Sequence, residues 1–323
     1  MITKGIIIIP TQGFANRLRM IASSYILSKF IEIPLYVCWI SSRECNVEYD
    51  DIFHDDDLNI IDFNECQKSN YLYLGRQHTQ NIINNIIDTR YSKEMTYDYF
   101  ILEGGHEFKP PALSLQSFVY QKHMFYNSLQ FSSIIRDKVC SFSALYDLNR
   151  TIGIHYRDII NKYDNNDIEN SDLINFTKNS PIEKFESIIT NLKNISNYDN
   201  LLVVSNNPEI YHKFKNNIKS KSFIKTNTEL YDRNNKNAII ECVTDFLILS
   251  KTRMIIGTFY SSFSDEASFV NFIPKITPLS DSIGNTQLDY HCLNYTNKNK
   301  LPCLNRNDKT FFHLFGEGIC NLN

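Results

Sequence analysis

The sequence predicts an α/β protein built from two Rossmann-like halves. Short aliphatic or aromatic runs alternate with longer segments of helical period, which is the pattern of parallel strands joined by helices. The first run, Ile6-Ile7-Ile8-Ile9, is ended by Pro10. After a helix closing near residue 142, a fresh strand series begins at Thr151-Ile152-Gly153-Ile154. The boundary therefore falls within 143–150, dividing the chain into 1–148 and 149–323.

Taken in order, strand 5–9 is the isoleucine run, and helix 15–30 follows it with Gly13 and Asn16 at its start. Strands at 34–39 and 99–103 are apolar runs, the second closed by Gly104-Gly105, and a helix covers 129–142. In the second half, strand 151–156 precedes helix 181–193, where Ser180 and Pro181 give cap and first-turn signals. Strand 201–205, helix 208–216, helix 237–250 and strand 253–258 complete the set, and Thr258 onward opens another helix. The polar stretch 161–170, "NKYDNNDIEN", reads as a solvated loop or lid.

Composition bounds the function. The chain has 323 residues, 42% apolar and 21% charged with a net charge of −3, which describes a soluble globular protein and excludes a basic nucleic-acid binder. The isoleucine run is far too short for a signal peptide's apolar core or a membrane span. A cytoplasmic setting is the expectation, with the eight cysteines reduced and none in a CxxC pair. Clustered Cys292, Cys303 and Cys320 leave disulfides open if a leader once directed secretion. The four N-glycosylation sequons are expected by chance in so Asn-rich a chain.

Four stretches could carry chemistry, and each has a plain structural alternative. In Thr11-Gln12-Gly13-Phe14-Ala15-Asn16-Arg17, a glycine in a strand-to-helix turn lets the backbone approach an anion at the helix start, or simply turns the chain. In Gly153-Ile154-His155-Tyr156-Arg157-Asp158, alternation puts His155 and Arg157 on one face at a strand's carboxyl end, where open parallel sheets bind ligands. Arg157 offers a permanent donor fork suited to a diphosphate. The alternative is an Arg157–Asp158 surface pair beside a satisfied core histidine.

Asp245 falls on the apolar stripe of helix 237–250 with Ala238, Cys242 and Leu249, so it needs partners. A guanine edge, with N1–H and an exocyclic amine, matches its two oxygens; a neighbouring loop is the alternative. Finally, Ser261-Ser262-Phe263-Ser264 opens a helix after Met254-Ile255-Ile256-Gly257. Ser262 and Asp265 fit a capping box, and the same hydroxyls and amides would hold a phosphate.

The ordered set "GFANRLR", "GIHYRD" and "TDFLILSKTRMIIGTFYSSFS" resembles the GDP-fucose-dependent fucosyltransferases, the GT-B-like superfamily of α1,2-, α1,6- and protein O-fucosyltransferases. The resemblance spans residues 5 to about 270 and is specific in some thirty of them. It departs from the family pattern at Gln12 and Phe14-Ala15, and at Asp158, which leaves the donor sugar open. It implies two Rossmann-like domains facing a cleft and an inverting, metal-independent transfer from GDP-fucose to a glycan or protein hydroxyl, with no further cofactor. It also implies residue roles: Arg157 on the diphosphate, His155 holding the nucleotide, Asp245 reading guanine, Ser261 or Ser262 on the β-phosphate with Ser264 beside them, and Gly13, Asn16 and Arg17 near the sugar.

A general base is expected from the first half or the interdomain cleft. Glu103, at a strand end before two glycines, is the best-placed candidate, with His106 second. The run His54-Asp55-Asp56-Asp57 reads as a solvated loop rather than a metal-binding Asp-x-Asp. A non-catalytic nucleotide-sugar or glycan-binding protein of the same fold is the alternative. A dehydrogenase lacks its GxGxxG and a hydrolase its GxSxG.

Overall fold

The computed structural model describes residues 4–54, 58–67, 70–74, 97–158, 177–193, 198–218, 222–226, 232–282 and 287–288. The stretch 161–170, Asp55 to Asp57 and the tail cysteines lie outside these residues. The described chain forms two compact units, one from residues up to 137 together with 232–243, the other from 138–231 and from 244 onward.

The first unit holds β1 (Gly5–Pro10), α1 (Phe14–Ile31), β2 (Leu35–Val37), α2 (Tyr49–Ile52), β3 (Asn59–Ile60), α3 (Phe63–Gln67), β4 (Tyr71–Tyr73), β5 (Tyr99–Gly104) and α4 (Leu115–Ser128). Its five strands run in the order β3-β2-β1-β5-β4, all parallel. Every residue of β1 is buried, as a central parallel strand covered on both faces requires. β1 pairs with β5 in a register that sets Ile9 beside Glu103 and Pro10 beside Gly104.

The helix expected over 129–142 is found as α5 (Ser133–Leu145), starting four residues later, and α4 before it was not expected. Tertiary contacts hold the residues between the two out of either helix. Phe131 bridges to Phe53, the His54 amide donates to Gln130 O at 2.7 Å, and Ser132 Oγ donates to Asp51 O at 2.9 Å. Extended backbone at these residues cannot also continue a helix.

The second unit contains β6 (Thr151–Tyr156), α6 (Ile182–Lys193), β7 (Asn200–Ser205), α7 (Glu209–Asn217), β8 (Phe223–Lys225), α8 (Lys236–Ser250), β9 (Met254–Gly257), α9 (Ser262–Val270), β10 (Lys275–Thr277) and β11 (Gln287–Leu288). α8 starts in the first unit, where Lys236 pairs with Asp51 at 2.5 Å. The sheet runs β11-β10-β9-β6-β7-β8, with β11 antiparallel to the rest. Ile154 and Tyr156 face a core that includes Phe185, Ile189 and Phe214, so the alternation read along this strand holds.

Both sheets have a topological switch point, where strand order reverses: between β1 and β5 in one, and between β6 and β9 in the other. Open α/β sheets bind ligands at such points, outside the carboxyl ends of the strands. The candidate residues other than Asp245 fall there.

Candidate functional site

In the second unit, β6 ends at Tyr156 and β9 at Gly257, and Thr258 ties the two ends together. Its Oγ1 accepts from the Arg157 amide at 2.9 Å and donates to His155 O at 3.1 Å, while its own amide also reaches His155 O. The Ser261 amide in turn donates to Thr258 O at 3.3 Å. His155, Arg157 and Ser261 are therefore one hydrogen-bonded assembly at the switch point. Phe263 stacks on the His155 ring at 4.8 Å, and Phe246, next to Asp245, meets Phe263 edge-on at 5.4 Å.

Two polar atoms in this assembly are left over. Ser261 is 2% exposed and its Oγ has no hydrogen-bond partner; the same is true of His155 Nδ1. Ser261 is the N-cap of α9, yet its side chain makes no capping bond. The Ser262–Asp265 capping box expected from the sequence does not form, because Asp265 reaches Lys275 at 2.6 Å and the helix starts one residue earlier than that box requires. Nor is His155 a satisfied core histidine. An orphaned hydroxyl and a helix start without a side-chain cap leave groups able to meet an anion, since buried polar groups are otherwise paired.

The turn is also strained. Tyr260, just before the N-cap, has φ 61°, a left-handed conformation rare for an aromatic residue. Gly257 must be glycine for the neighbouring helix to sit where it does: a Cβ there would meet Ser264 Oγ at 2.5 Å and Lys275 Cε at 2.9 Å. Ser264 is accordingly removed from the ligand-facing set. It is fully buried against Gly257 and donates to Ser261 O at 3.2 Å. Ser262 stays partly exposed in the first turn.

His155 is held neutral. Burial, and then the charges of Arg157 and Lys275, push its pKa down to about 3. An unfolded histidine titrates near 6.5, so between pH 6.5 and about 3 the unfolded chain binds the proton that the folded chain refuses. Stability from this residue is complete above pH 6.5 and falls by up to about 1.4 kcal/mol per pH unit below it. His155→Phe, which keeps the ring stack, should show a correspondingly shallower loss in urea unfolding between pH 6.5 and 4.5; an unchanged slope would refute the neutral assignment.

Asp245 is 5% exposed and lines a pocket with Ser205, Asn207, Tyr211, Lys225 and Thr226 at the carboxyl ends of β7 and β8. A carboxylate, an aromatic ring and an ammonium converge there, a set able to engage a planar heterocycle. Asn207 also donates to Asp158 Oδ2 at 2.7 Å, and Asn206 exchanges two bonds with the Asp158 backbone, which fixes the turn after β6.

The first unit gathers Gly13, Asn16, Arg17 and Glu103 about its own switch point. Here the left-handed residue is Gln12, φ 68°, and not Gly13, whose φ of −71° suits any residue and beside which a Cβ would find open space. Asn16 Nδ2 donates to Gln12 Oε1 at 2.7 Å, and its Oδ1 is buried without a partner. Arg17 differs from expectation. It is 1% exposed, with its guanidinium committed to Gln12 O, Ile40 O and Ser42 Oγ at 2.8–2.9 Å and lying over Trp39 at 4.6 Å. It braces the turn instead of facing a sugar.

Glu103 is partly exposed at the end of β5, and the Tyr73 hydroxyl donates to its Oε2. His106 is held below its ordinary pKa by partial burial and by Arg19, which donates to Gly105 O at 2.7 Å. Among the described residues, no three His, Cys, Asp or Glu side chains converge as a metal site, and no helix is long and apolar enough to cross a membrane.

No protein-family model and no curated protein matches the sequence. Solved structures do. The NodZ α-1,6-fucosyltransferase soaked with GDP-fucose superposes with a TM-score of 0.63 at 11% identity, over 89% of this chain and 99% of that one. The chain shares the fold of that protein. The Bradyrhizobium NodZ fucosyltransferase gives 0.60 at 12% identity over 90% and 99% of the two chains. An Arabidopsis thaliana FUT1 mutant in complex with GDP gives 0.59 at 13% over 85% and 70%. The sequence had offered Arg157, His155, Asp245 and the serines as candidates. It gave no sign of Thr258's bridging role, of Tyr211 and Lys225 in the pocket, or of Lys275 beneath α9. Those residues sit in ordinary strand-end, loop and helix contexts, and only the fold brings them together.

Proposed function

We propose that the protein is a glycosyltransferase that moves fucose from GDP-fucose to a glycan or protein hydroxyl. The observation that carries this reading is the orphaned Ser261 hydroxyl at the start of α9, hydrogen-bonded through its backbone to Thr258 and thereby to Arg157 and His155. The fold likeness to proteins solved with GDP or GDP-fucose supports the choice of nucleotide.

In the proposed reaction the acceptor hydroxyl attacks the anomeric carbon from the face opposite the leaving GDP, inverting that centre. Arg157, Ser261, Ser262 and the first amides of α9 stabilise the charge gathering on the diphosphate, usually the largest catalytic contribution. With those donors aimed at the leaving group, a divalent ion is not required. Asp245 receives the guanine N1–H and amine. In the first unit, read as the acceptor side, Glu103 takes the acceptor proton, with the Tyr73 hydroxyl orienting its carboxylate. The proposal keeps the cytoplasmic setting expected from the sequence and the division at 148/149.

Thermal stabilisation by GDP, GDP-fucose, GDP-mannose, UDP-glucose and NAD tests the nucleotide. A ligand at a hundred times its Kd adds about 2.7 kcal/mol, a clear rise in midpoint. Selective response to GDP and GDP-fucose is expected, together with slow release of free fucose from the donor. Stabilisation without any release would favour the binding protein, and a response to UDP-glucose or NAD alone would sink the proposal.

A further inference from the structure

Beneath the first turn of α9 lies a buried cation that the proposed chemistry has not used. Lys275 is 3% exposed, and its side chain runs along the sheet past Gly257 to place Nζ on Asp265 Oδ1 at 2.6 Å and Thr277 Oγ1 at 2.7 Å. Asp265 is partly exposed and stands in the first turn of the helix whose start is read as the phosphate nest. A carboxylate there suits an empty helix terminus but repels a bound anion. Removing an ammonium from water is costly unless a partner holds it, so the pair is strongly specified once formed.

We propose that Lys275 is the counter-cation of the nest, cancelling the charge of Asp265 so that the start of α9 can accept a diphosphate. It is a positioning residue: it acts through Asp265 and the helix turn, without touching the nucleotide. Its charge also reaches His155, helping to keep that ring neutral beside the site. The inference rests on reading this helix start as the diphosphate site, and comparison of GDP with guanosine separates the two.

The test measures Kd for GDP and for guanosine at low salt in the parent, Lys275→Met, Asp265→Asn and the double variant. In Lys275→Met, GDP should weaken roughly tenfold, the scale of one unit charge acting across a partly buried site, with guanosine unchanged. The double variant, lacking both charges, should recover most of the loss. A merely structural prop would weaken both ligands alike or leave the double variant as poor as the single one, and either result overturns the proposal. Should Lys275→Met fail to fold, Asp265→Asn decides: a GDP-to-guanosine preference equal to or above the parent's supports the electrostatic role, and a lower one refutes it. If the parent itself prefers GDP no more than guanosine, the nest reading fails and this inference falls with it. If the parent prefers GDP and Lys275→Met keeps that preference undiminished, only this inference falls.

Discussion

Arg157→Ala should lose most donor turnover while remaining folded. The side chain leaves the carboxyl end of β6 at the switch point, but what holds the backbone there is independent of it: the Arg157 amide donates to Thr258 Oγ1 and the strand is paired on both sides. Removing a charged donor fork from a diphosphate whose charge grows in the transition state should cost about 2–4 kcal/mol, or roughly 30- to 1,000-fold in kcat/KM. Initial rates of GDP release from GDP-fucose read the effect, and the unfolding midpoint serves as the control. Parent-like turnover would remove Arg157 from the site. A collapsed midpoint would make it a structural residue.

The central strands were legible because burial on both faces demands unbroken apolar runs, and Ile6 to Ile9 or Leu201 to Val204 can be little else. Edge strands escaped notice for the opposite reason. β3, β4, β8 and β11 have two or three residues each, and their alternation is too brief to register. α4 was missed because its buried positions, Phe118, Val119, Phe125 and Tyr126, are interleaved with polar and exposed aromatic residues.

The site was legible where residue type implies chemistry, and illegible where register does. Arg157 and Asp245 could be chosen from an odd charge in an apolar setting. Arg17 looked equally suitable, yet its guanidinium is consumed by two carbonyls and a serine that lie beside it only after folding. The two strand-to-helix turns share a device that no motif spells out: a non-glycine residue in the left-handed region immediately before the N-cap, Gln12 in one and Tyr260 in the other. Strain of that kind, of order 1–3 kcal/mol each, persists where surrounding structure enforces it, and both instances border a buried polar atom without a partner. Gly13, by contrast, has an ordinary φ and carries no such signal.

Asp245→Asn should exchange guanine for xanthine. In the proposed pose the carboxylate accepts two hydrogen bonds from one base edge, N1–H and the exocyclic amine. An asparagine of the same shape can accept only one and turns its NH2 toward the other donor. Leaving that donor unpaired in a site where the side chain is 5% exposed should weaken GDP by about 2–4 kcal/mol. Xanthosine diphosphate carries a carbonyl where guanine has the amine, so the amide can accept from N1–H and donate to that oxygen. The variant should therefore bind xanthosine diphosphate better than GDP, while the parent does the reverse. Because Asn fills the same volume within Ser205, Tyr211 and Lys225, the unfolding midpoint should move little. Competition between the two diphosphates on parent and variant measures the ratio directly. An inverted ratio would place the base in this pocket; an unfolded variant, or a stable one with unaltered preference, would return Asp245 to the role of a buried structural carboxylate and leave the nucleotide's base to be read elsewhere.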